Sequence, residues 1–225
     1  MGNVFLPFIK QQKDNPSIDL DGLEGYWRFE GNATDFSGKE RHGIIGGNYN
    51  YVTVKLGQSL EFTGTLTTGS VKISDSLFQS QSIFSAFCWI YKSQFLSYEN
   101  IVGNRSAGQV YSWIFCTGSS YSRKLVMYSN TVYSSAFVIP LDQWVFVGFT
   151  VKGQLLNLYA NGENVGSFTS FNKKSASVPE LSISGFGGNG AEGLNGSIDE
   201  VTYWSRELSA NEVKTLYNNG NGLRL

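Results

Sequence analysis

The sequence predicts an all-β fold, in which two antiparallel sheets form a sandwich that carries one short helix near the C-terminus. The 225 residues include 26 glycines, 15% aromatic residues and only two methionines, a composition typical of many strands joined by tight turns. A β-sandwich of this length folds as one domain. Short runs of alternating polarity, rich in Val, Ile, Thr, Tyr and Trp, recur along the chain. We expect roughly twelve to fourteen strands.

Residues 1–20 are predicted to form an N-terminal arm, and residues 21–225 the sandwich. The arm begins with the apolar "MGNVFLPFIK" and continues with a polar stretch. Because it has no partner strand in view, we expect it to dock on another surface or subunit. It lacks the basic segment and cleavage site of a signal peptide, and no run approaches the ~18 apolar residues of a membrane span. We therefore expect neither secretory export nor a membrane span.

The first strand, "GYWRFE", is predicted to end at Glu30, and a compact polar turn follows over residues 31–38. His42 is the sequence's only histidine. A catalytic Ser-His-Asp triad or Cys-His pair would therefore have to include His42. We expect instead that His42 fixes the turn at Gly43.

The segment "QSIFSAFCWIYK" predicts a central strand, because both of its faces are apolar. Such a strand lies in the middle of a stack unless one side is a binding face, and we expect burial. Cys88 in this strand and Cys116 in "SWIFCTGS" both lie in apolar surroundings. They are predicted to be two buried thiols, with a disulfide as the alternative.

Residues 93–140 alternate short strands with Ser, Gly and Asn turns and are rich in tyrosine. Tyrosine beside serine and asparagine is typical of recognition surfaces, because a rigid ring is combined with adaptable hydrogen bonds. The alternative is cross-strand aromatic pairing on a sandwich face. The residues predicted to bind a ligand are Tyr98, Tyr111, Trp113, Tyr121 and Tyr133.

The segment "WVFVGFTVKGQLLNLYANGENVGSF" predicts successive antiparallel strands, broken first at Lys152 and Gly153. Asn161 and Gly162 make the second break. Asn-Gly between alternating runs favours a type I′ turn, which needs positive φ at both central residues.

Residues 197–204 alternate in polarity and predict the last strand. Ser209, with Glu212 three residues later, forms a capping box that begins a helix over residues 209–218. Gly220 is the expected stop. One stripe of this helix is apolar, and we expect it to cover one sheet: Val213, Leu216 and Tyr217.

The C-terminal "GSIDEVTYWSRELSANEVKTLYNNG" resembles the closing part of the concanavalin A-like laminin G family, jelly-roll modules related to pentraxins. The opening "LEGYWRFEGNATDFSGKERHG", the central strand and the Asn-Gly hairpin are similar to the same family, although Phe146 and Gly148 replace its usual histidine and alanine. The resemblance spans about residues 22–220. It implies a concanavalin A-like jelly roll, a fold that hosts lectins, adhesion modules, structural domains and some glycanases.

The resemblance also implies a structural Ca²⁺ where the first and last strands meet. The matching oxygen ligands are Glu30, Asn32 and Asp199. Alternatively, Asp199 accepts backbone N–H groups from the turn at residues 31–38 without a metal.

Catalysis is not expected. Glycanases of this general fold carry carboxylates at alternating positions of one strand, and no such spacing occurs here. Asp199 and Glu200 are adjacent, which on a regular strand places them on opposite faces and prevents them from acting as a pair.

The 17 basic and 18 acidic side chains give a net charge of −1, which attracts neither nucleic acid nor an anionic membrane. Glycans or proteins are the expected partners. We therefore predict a non-enzymatic recognition or adhesion module that binds carbohydrate. The initiator Met and the missing signal peptide favour a bacteriophage surface protein that is released by lysis, either a capsid decoration or a tail component. We expect the arm to attach this protein to its assembly or to mediate its oligomerisation. The alternatives are a structural assembly protein without a ligand and a glycan-active enzyme.

Overall fold

A computed structural model describes residues 17–54, 56–63, 69–106, 110–175, 178–185 and 192–225. Fifteen strands lie in these residues, one more than the upper end of the expected range. They are Leu23–Trp27 (β1), Ile44–Gly46 (β2), Tyr49–Val54 (β3), Gly57–Phe62 (β4), Ser70–Ser74 (β5), Ile83–Tyr91 (β6), Glu99–Arg105 (β7), Tyr111–Thr117 (β8), Lys124–Tyr128 (β9), Val132–Val138 (β10), Trp144–Lys152 (β11), Leu155–Ala160 (β12), Glu163–Phe168 (β13), Glu180–Ser184 (β14) and Gly196–Trp204 (β15). The α-helices are Leu77–Ser80 (α1) and Ala210–Tyr217 (α2).

The strands form two antiparallel sheets, which confirms the predicted all-β sandwich. One sheet has eight strands in the order β13-β12-β11-β6-β15-β4-β3, with β1 paired to β15. The other has seven strands in the order β10-β9-β8-β7-β14-β5-β2. In the described part of the chain, no helix is both long and apolar enough to cross a membrane.

The central strand β6 is buried on both faces, as predicted. Phe84, Ala86, Cys88 and Ile90 belong to the core between the sheets. Phe87 and Trp89 point the other way, into a second apolar cluster. The cysteines are free and buried, so the predicted pair of thiols is confirmed.

The second cluster lies between the outer face of the eight-stranded sheet and α2. Val213 and Leu216 of the helix pack there against sheet residues that include Phe146 and Trp204. The predicted capping box is present: Glu212 N–H donates to Ser209 Oγ, and Ser209 N–H donates to the Glu212 carboxylate. The C-terminal helix therefore covers one sheet, as expected.

The expected stop at Gly220 is wrong. The helix ends at Tyr217, because Asn218 adopts a left-handed conformation with φ of 48° and its N–H donates to the Lys214 carbonyl. Asparagine tolerates this conformation better than most side chains and serves as an alternative to glycine at helix ends.

The hairpin predictions are confirmed. Strands β11 and β12 pair from Val147 opposite Ala160 to Lys152 opposite Leu155. At the turn into β13, Asn161 and Gly162 have φ of 50° and 81°. Both values are positive, as a type I′ turn requires.

A β-bulge in β15 overturns the expectation that Asp199 and Glu200 face opposite ways. The pairing with β6 shifts between Asp199 and Thr202, and Glu200 has φ of 51°. Ile198 and Val201, on either side of the two acids, both point into the core between the sheets. The extra residue of the bulge therefore leaves both acids on the outer face.

The turn after β1 is organised by Asp35 rather than by Asp199. The Asp35 carboxylate accepts the backbone N–H groups of Tyr26, Ser37 and Arg41 at 2.8–3.0 Å. His42 Nδ1 accepts the N–H of Asp35 at 3.1 Å, which supports its predicted structural role.

The predicted arm lies mostly outside the described residues, which begin at Ser17. Ile18 packs against the second apolar cluster. Arg206 donates to the carbonyls of Asp19 and Asp21 at 2.8 and 2.6 Å, so the end of this segment is tied to the sandwich.

Candidate functional site

Tyrosine side chains lie on the outer face of the seven-stranded sheet. Along β8, Trp113 and Phe115 point into the core. Ile114 and Cys116 point outward, where they form an apolar patch with Val126 of β9. Tyr111, Tyr121 and Tyr128 pack against this patch. Apolar surface and aromatic rings therefore lie together on one side of the sheet.

A cavity of about 430 Å³ opens on this face. Its volume is within the range typical of small-molecule sites. The residues that line it are Tyr98, Glu99, Asn100, Arg105, Tyr111, Ile114, Cys116, Tyr121, Tyr128 and Glu192.

The four tyrosines of this cavity form two pairs. The rings of Tyr98 and Tyr121 meet edge to face, with centroids 5.4 Å apart and an interplanar angle of 71°. Tyr111 and Tyr128 are 5.5 Å apart and tilted by 34°. Lys174 Nζ lies 4.2 Å from the centroid of the Tyr111 ring, within reach of a cation–π interaction. The cavity therefore combines aromatic surface with hydroxyl groups.

The structure brings together three of the five residues predicted to bind a ligand: Tyr98, Tyr111 and Tyr121. Trp113 and Tyr133 are only 1% and 5% exposed and belong to the core between the sheets. A ligand on the sheet surface does not reach them, so their predicted role in binding is corrected to a packing role.

Local contacts explain the burial of these two residues. The Trp113 ring packs 5.2 Å from both Phe84 and Phe149. Tyr133 donates its hydroxyl hydrogen to the Ser170 carbonyl at 2.8 Å and so satisfies its polar end inside the fold.

An ion pair crosses the floor of the cavity. Arg105, at the end of β7, is 3% exposed, and its Nη1 donates to Glu192 Oε2. The Glu192 carbonyl accepts the Asn100 N–H at 2.7 Å, and its backbone has φ of 77°. Burial raises the pKa of the neighbouring Cys116 thiol, and the negative charge of Glu192 adds to this.

A second ion pair supports Glu99 from inside the protein. Glu99 Oε1 contacts Lys92 Nζ and accepts the Asn195 N–H at 2.9 Å, while Oε2 accepts the Leu96 N–H at 3.2 Å. Burial raises the pKa of Glu99, although Lys92 acts in the opposite direction. Each carboxylate of the cavity is therefore bound to a cation.

Sequence reasoning missed much of the site. Tyr128 lies in the tyrosine-rich segment, but its position opposite Tyr111 depends on the register of β8 and β9. Arg105 and Glu192 are 87 positions apart, and no local pattern marks them as a pair.

Each of the three predicted calcium ligands has a partner within the protein. Glu30 Oε1 pairs with Arg224, and its Oε2 accepts the Gln58 N–H at 3.2 Å. Asn32 Oδ1 accepts the Thr34 N–H at 2.9 Å. Asp199 Oδ1 accepts the Glu200 N–H at 2.8 Å. No group of three or more His, Cys, Asp or Glu residues suited to a metal occurs among the residues whose structure is described.

Arg224 forms salt bridges where the first and last strands meet. Its Nη2 binds Glu30, and its Nε donates to Glu200 Oε1 at 3.1 Å. Glu200 Oε2 also accepts the hydroxyl of Tyr26. Burial, together with the nearby charge of Glu200, raises the pKa of Asp199 to about 8.

The family profile described as the concanavalin A-like lectin/glucanases superfamily matches residues 63–214. No curated protein sequence gives a match.

Solved structures are similar in fold at low sequence identity. Domain 4 of the extracellular arabinanase AbnA from Geobacillus stearothermophilus, in complex with arabinotriose, has a TM-score of 0.69 and 19% identity, and the match covers 85% of this chain and 96% of that one. The binding domain of Paraclostridial Mosquitocidal Protein 1 has a TM-score of 0.69 and 17% identity, and the match covers 89% of this chain and 53% of that one. Trypanosoma rangeli sialidase in complex with a difluorosialic acid has a TM-score of 0.64 and 15% identity, and the match covers 90% of this chain and 34% of that one. The chain thus spans nearly all of the arabinanase domain, about half of the toxin domain and about a third of the sialidase.

Proposed function

The chain belongs to the concanavalin A-like lectin/glucanase superfamily, and from this premise we propose that it is a carbohydrate-binding module without enzymatic activity. The observation that carries the proposal is the cavity on the seven-stranded sheet, bounded by two tyrosine pairs. On the other sheet, part of the outer face is covered by α2.

Tyrosine suits a sugar because its ring is flat and apolar while its hydroxyl forms hydrogen bonds. A sugar has the matching character, with C–H groups on its faces and hydroxyls at its edge. Tyr98 is 48% exposed, so its ring is available to such a ligand. The hydroxyls of the four tyrosines add polar groups to the cavity. A few polar groups within an apolar surface are typical of small-ligand sites.

The carboxylates at the cavity and in β15 favour binding over hydrolysis. Glycoside hydrolysis needs one acid that donates a proton and one carboxylate that acts as a nucleophile or base. Glu99 is held by Lys92 and two backbone N–H groups, and Glu192 is held by Arg105. Asp199 and Glu200 share a face but are 2% and 5% exposed. None of these pairs presents a sugar with both a proton-donating acid and a carboxylate that can act as nucleophile or base.

Structural neighbours are consistent with this proposal at the level of the fold. The arabinanase domain was solved with arabinotriose, and the toxin domain is a binding domain. Because the identities are below 20%, the likeness concerns the fold, and the site proposed here depends on this chain's own residues.

A glycan array tests the proposal. We expect the wild-type protein to bind at least one glycan and the Tyr121→Ala variant to lose roughly 10-fold in affinity, the effect of removing one aromatic contact. Tyr49→Ala is the matched control, because Tyr49 is an exposed tyrosine of the other sheet, paired with Tyr51. Binding to no glycan at millimolar concentrations would favour the structural alternative, and equal losses in both variants would contradict this site.

We also propose, from the sequence alone, that the module is displayed on a bacteriophage virion, as a capsid decoration or tail protein attached or oligomerised through residues 1–20. Sedimentation of the full chain against a version that begins at Asp21 tests the arm. We expect the full chain, but not the shortened version, to oligomerise or to bind its assembly. Equal behaviour of the two proteins would remove the arm from the proposal.

A further inference from the structure

We propose that Glu192 selects the ligand of the cavity bounded by the four tyrosines, here called the tyrosine cavity, by accepting a hydrogen bond from a hydroxyl group of a neutral sugar. The ion pair with Arg105 stays intact and holds the carboxylate in place. This inference rests on the proposed function and names the class of glycan that the same site recognises.

The ion pair on the cavity floor has one buried and one accessible partner. Arg105 and Glu192 both line the cavity, but the Arg105 side chain is 3% exposed and the Glu192 side chain 36%. A ligand that enters from solvent therefore meets the carboxylate. Because an ionised carboxylate only accepts hydrogen bonds, the matching group of the ligand is a donor.

The Glu192 carboxylate has the capacity for that donor. Its two oxygens offer about four acceptor sites. Arg105 Nη1 donates to Oε2, while part of the side chain remains exposed at the cavity. A hydroxyl that donates to a carboxylate forms a hydrogen bond roughly twice as strong as one between neutral groups. A sugar hydroxyl should therefore gain more from Glu192 than from the hydroxyl of a tyrosine.

Glu192 is held through both its side chain and its backbone, so the acceptor is in place before a ligand arrives. Arg105 holds the side chain. The Glu192 carbonyl accepts the Asn100 N–H at 2.7 Å, and Asn100 Nδ2 donates to Ser182 Oγ of β14 at 3.1 Å. The Glu192 backbone has a left-handed φ of 77°, and strained positions of this kind cluster at binding sites. A group positioned in advance loses less conformational entropy on binding.

The Glu192 carboxylate lies beside the aromatic surface of the cavity. Burial raises the pKa of the Tyr121 hydroxyl, and the charge of Glu192 adds a smaller contribution. Burial also raises the pKa of the Cys116 thiol, again with a contribution from Glu192. Cys116 belongs to the apolar patch against which Tyr121 packs. A sugar ring that contacts Tyr121 can therefore direct a hydroxyl at its edge to Glu192.

The charges around the cavity favour a neutral sugar over an acidic one. Three nearby cations are engaged within the protein: Arg105 with Glu192, Lys92 with Glu99, and Lys174 with the ring of Tyr111. A sugar carboxylate next to Glu192 would bring two like charges together, which disfavours binding. A neutral sugar keeps all three pairs and still supplies hydroxyl donors.

A glycan array of the full chain tests the class of sugar, with neutral glycans beside their sialylated or glucuronylated counterparts. We expect the wild-type protein to bind neutral glycans and to bind their acidic counterparts more weakly. Glu192→Gln removes both the charged acceptor and the repulsion of an acid. The variant should therefore bind the neutral glycans more weakly and lose the preference for them.

Calorimetric titration tests the hydrogen bond itself, with the neutral glycan that gives the strongest array signal and with its monodeoxy derivatives. We expect Glu192→Gln to weaken binding of the parent glycan roughly 10-fold, the difference between a charged and a neutral acceptor. One monodeoxy derivative, which lacks the donating hydroxyl, should bind wild type and Glu192→Gln equally, because both changes remove the same hydrogen bond. Loss of structure alone would weaken the parent and the derivative alike.

Glu180→Gln is the matched control, because it removes a carboxylate that pairs with Lys72 on the same sheet but outside the cavity. It should change neither affinity. If Glu192→Gln does not fold, Glu192→Asp carries the test. Aspartate keeps a negative charge for Arg105 but withdraws the carboxylate by one methylene, so it should weaken binding of the parent glycan and leave that of the derivative unchanged.

Two results would overturn the role of Glu192 and leave the proposed function standing. One is acidic glycans that bind more tightly than their neutral counterparts. The other is a folded Glu192→Gln variant that binds the parent glycan as tightly as wild type does. Failure of every glycan to bind would overturn both proposals.

Discussion

Asp199 and Glu200 are neighbours in β15 and both face the outer side of the eight-stranded sheet, since the bulge at Glu200 turns the second acid to the side of the first. Glu200 is held by Tyr26 and Arg224, and Asp199 lies beside Trp89 and Trp144. The acids therefore belong to the contact between the last strand and the C-terminal residues. This contact and the tyrosine cavity lie on opposite faces of the sandwich.

Asp199 should make stability fall as the pH rises. Its pKa is about 8 in the folded protein against an ordinary value of 3.8, so the folded state holds a proton that the unfolded state has lost between these values. The stabilising contribution is complete below pH ~4 and disappears as the pH rises through about 8. Asp199→Asn should remove this dependence.

Thermal melts of wild type and Asp199→Asn at pH 4, 6, 8 and 9, all in EDTA, measure the effect. The midpoint of the variant should rise relative to wild type as the pH increases. A difference that stays constant across this range would show that Asp199 titrates normally in the folded protein.

Calcium should not stabilise the junction of the first and last strands. Arg224 already binds Glu30 and Glu200 there, and Asn32 is engaged by the Thr34 N–H. We expect the same melting midpoint at neutral pH in millimolar calcium and in EDTA. A higher midpoint in calcium would reveal a bound ion, because a ligand of the folded state raises stability by mass action.

Ser209→Ala should cost about 1 kcal/mol of unfolding free energy, the usual effect of losing an N-cap. The Ser209 side chain accepts the Glu212 N–H, and α2 covers the apolar cluster of the eight-stranded sheet. Urea unfolding measures the loss. Asn211→Ala is a suitable control, because it changes an exposed position of the same first turn. Equal losses in the two variants would contradict a specific role for the cap.

Trp113→Phe should lower stability and leave glycan affinity unchanged. The ring packs between Phe84 and Phe149 inside the sandwich, and a smaller ring leaves a cavity that costs about 1–3 kcal/mol. Urea unfolding gives the stability, and titration with a glycan from the array gives the affinity of the folded protein. A loss of affinity at full folding would return Trp113 to the binding site.

Local patterns were enough to predict the parts of the fold that depend on neighbouring residues. The Asn161–Gly162 turn follows from two residues that accept positive φ. The capping box at Ser209 and Glu212 is likewise a short-range device. The double burial of β6 could be predicted because both faces of its sequence are apolar.

Features that depend on strand register could not be predicted in this way. Alternation alone places Asp199 and Glu200 on opposite faces, and only the bulge against β6 reverses this. Trp113 and Tyr111 are two residues apart in β8, so regular alternation places them on one face, but the register shift opposite Asn104 and Arg105 leaves one in the core and the other at the cavity. Glu192 reaches Arg105 because β14, just before it in the chain, pairs with β7.

A crystal structure of the protein with a glycan selected from the array tests the account most directly. The account predicts that a sugar ring contacts Tyr98 or Tyr121 and the Tyr111–Tyr128 pair, on the outer face of the seven-stranded sheet. A sugar bound instead at the eight-stranded sheet, or at loops away from these four tyrosines, would contradict the central claim that this cavity is the carbohydrate site.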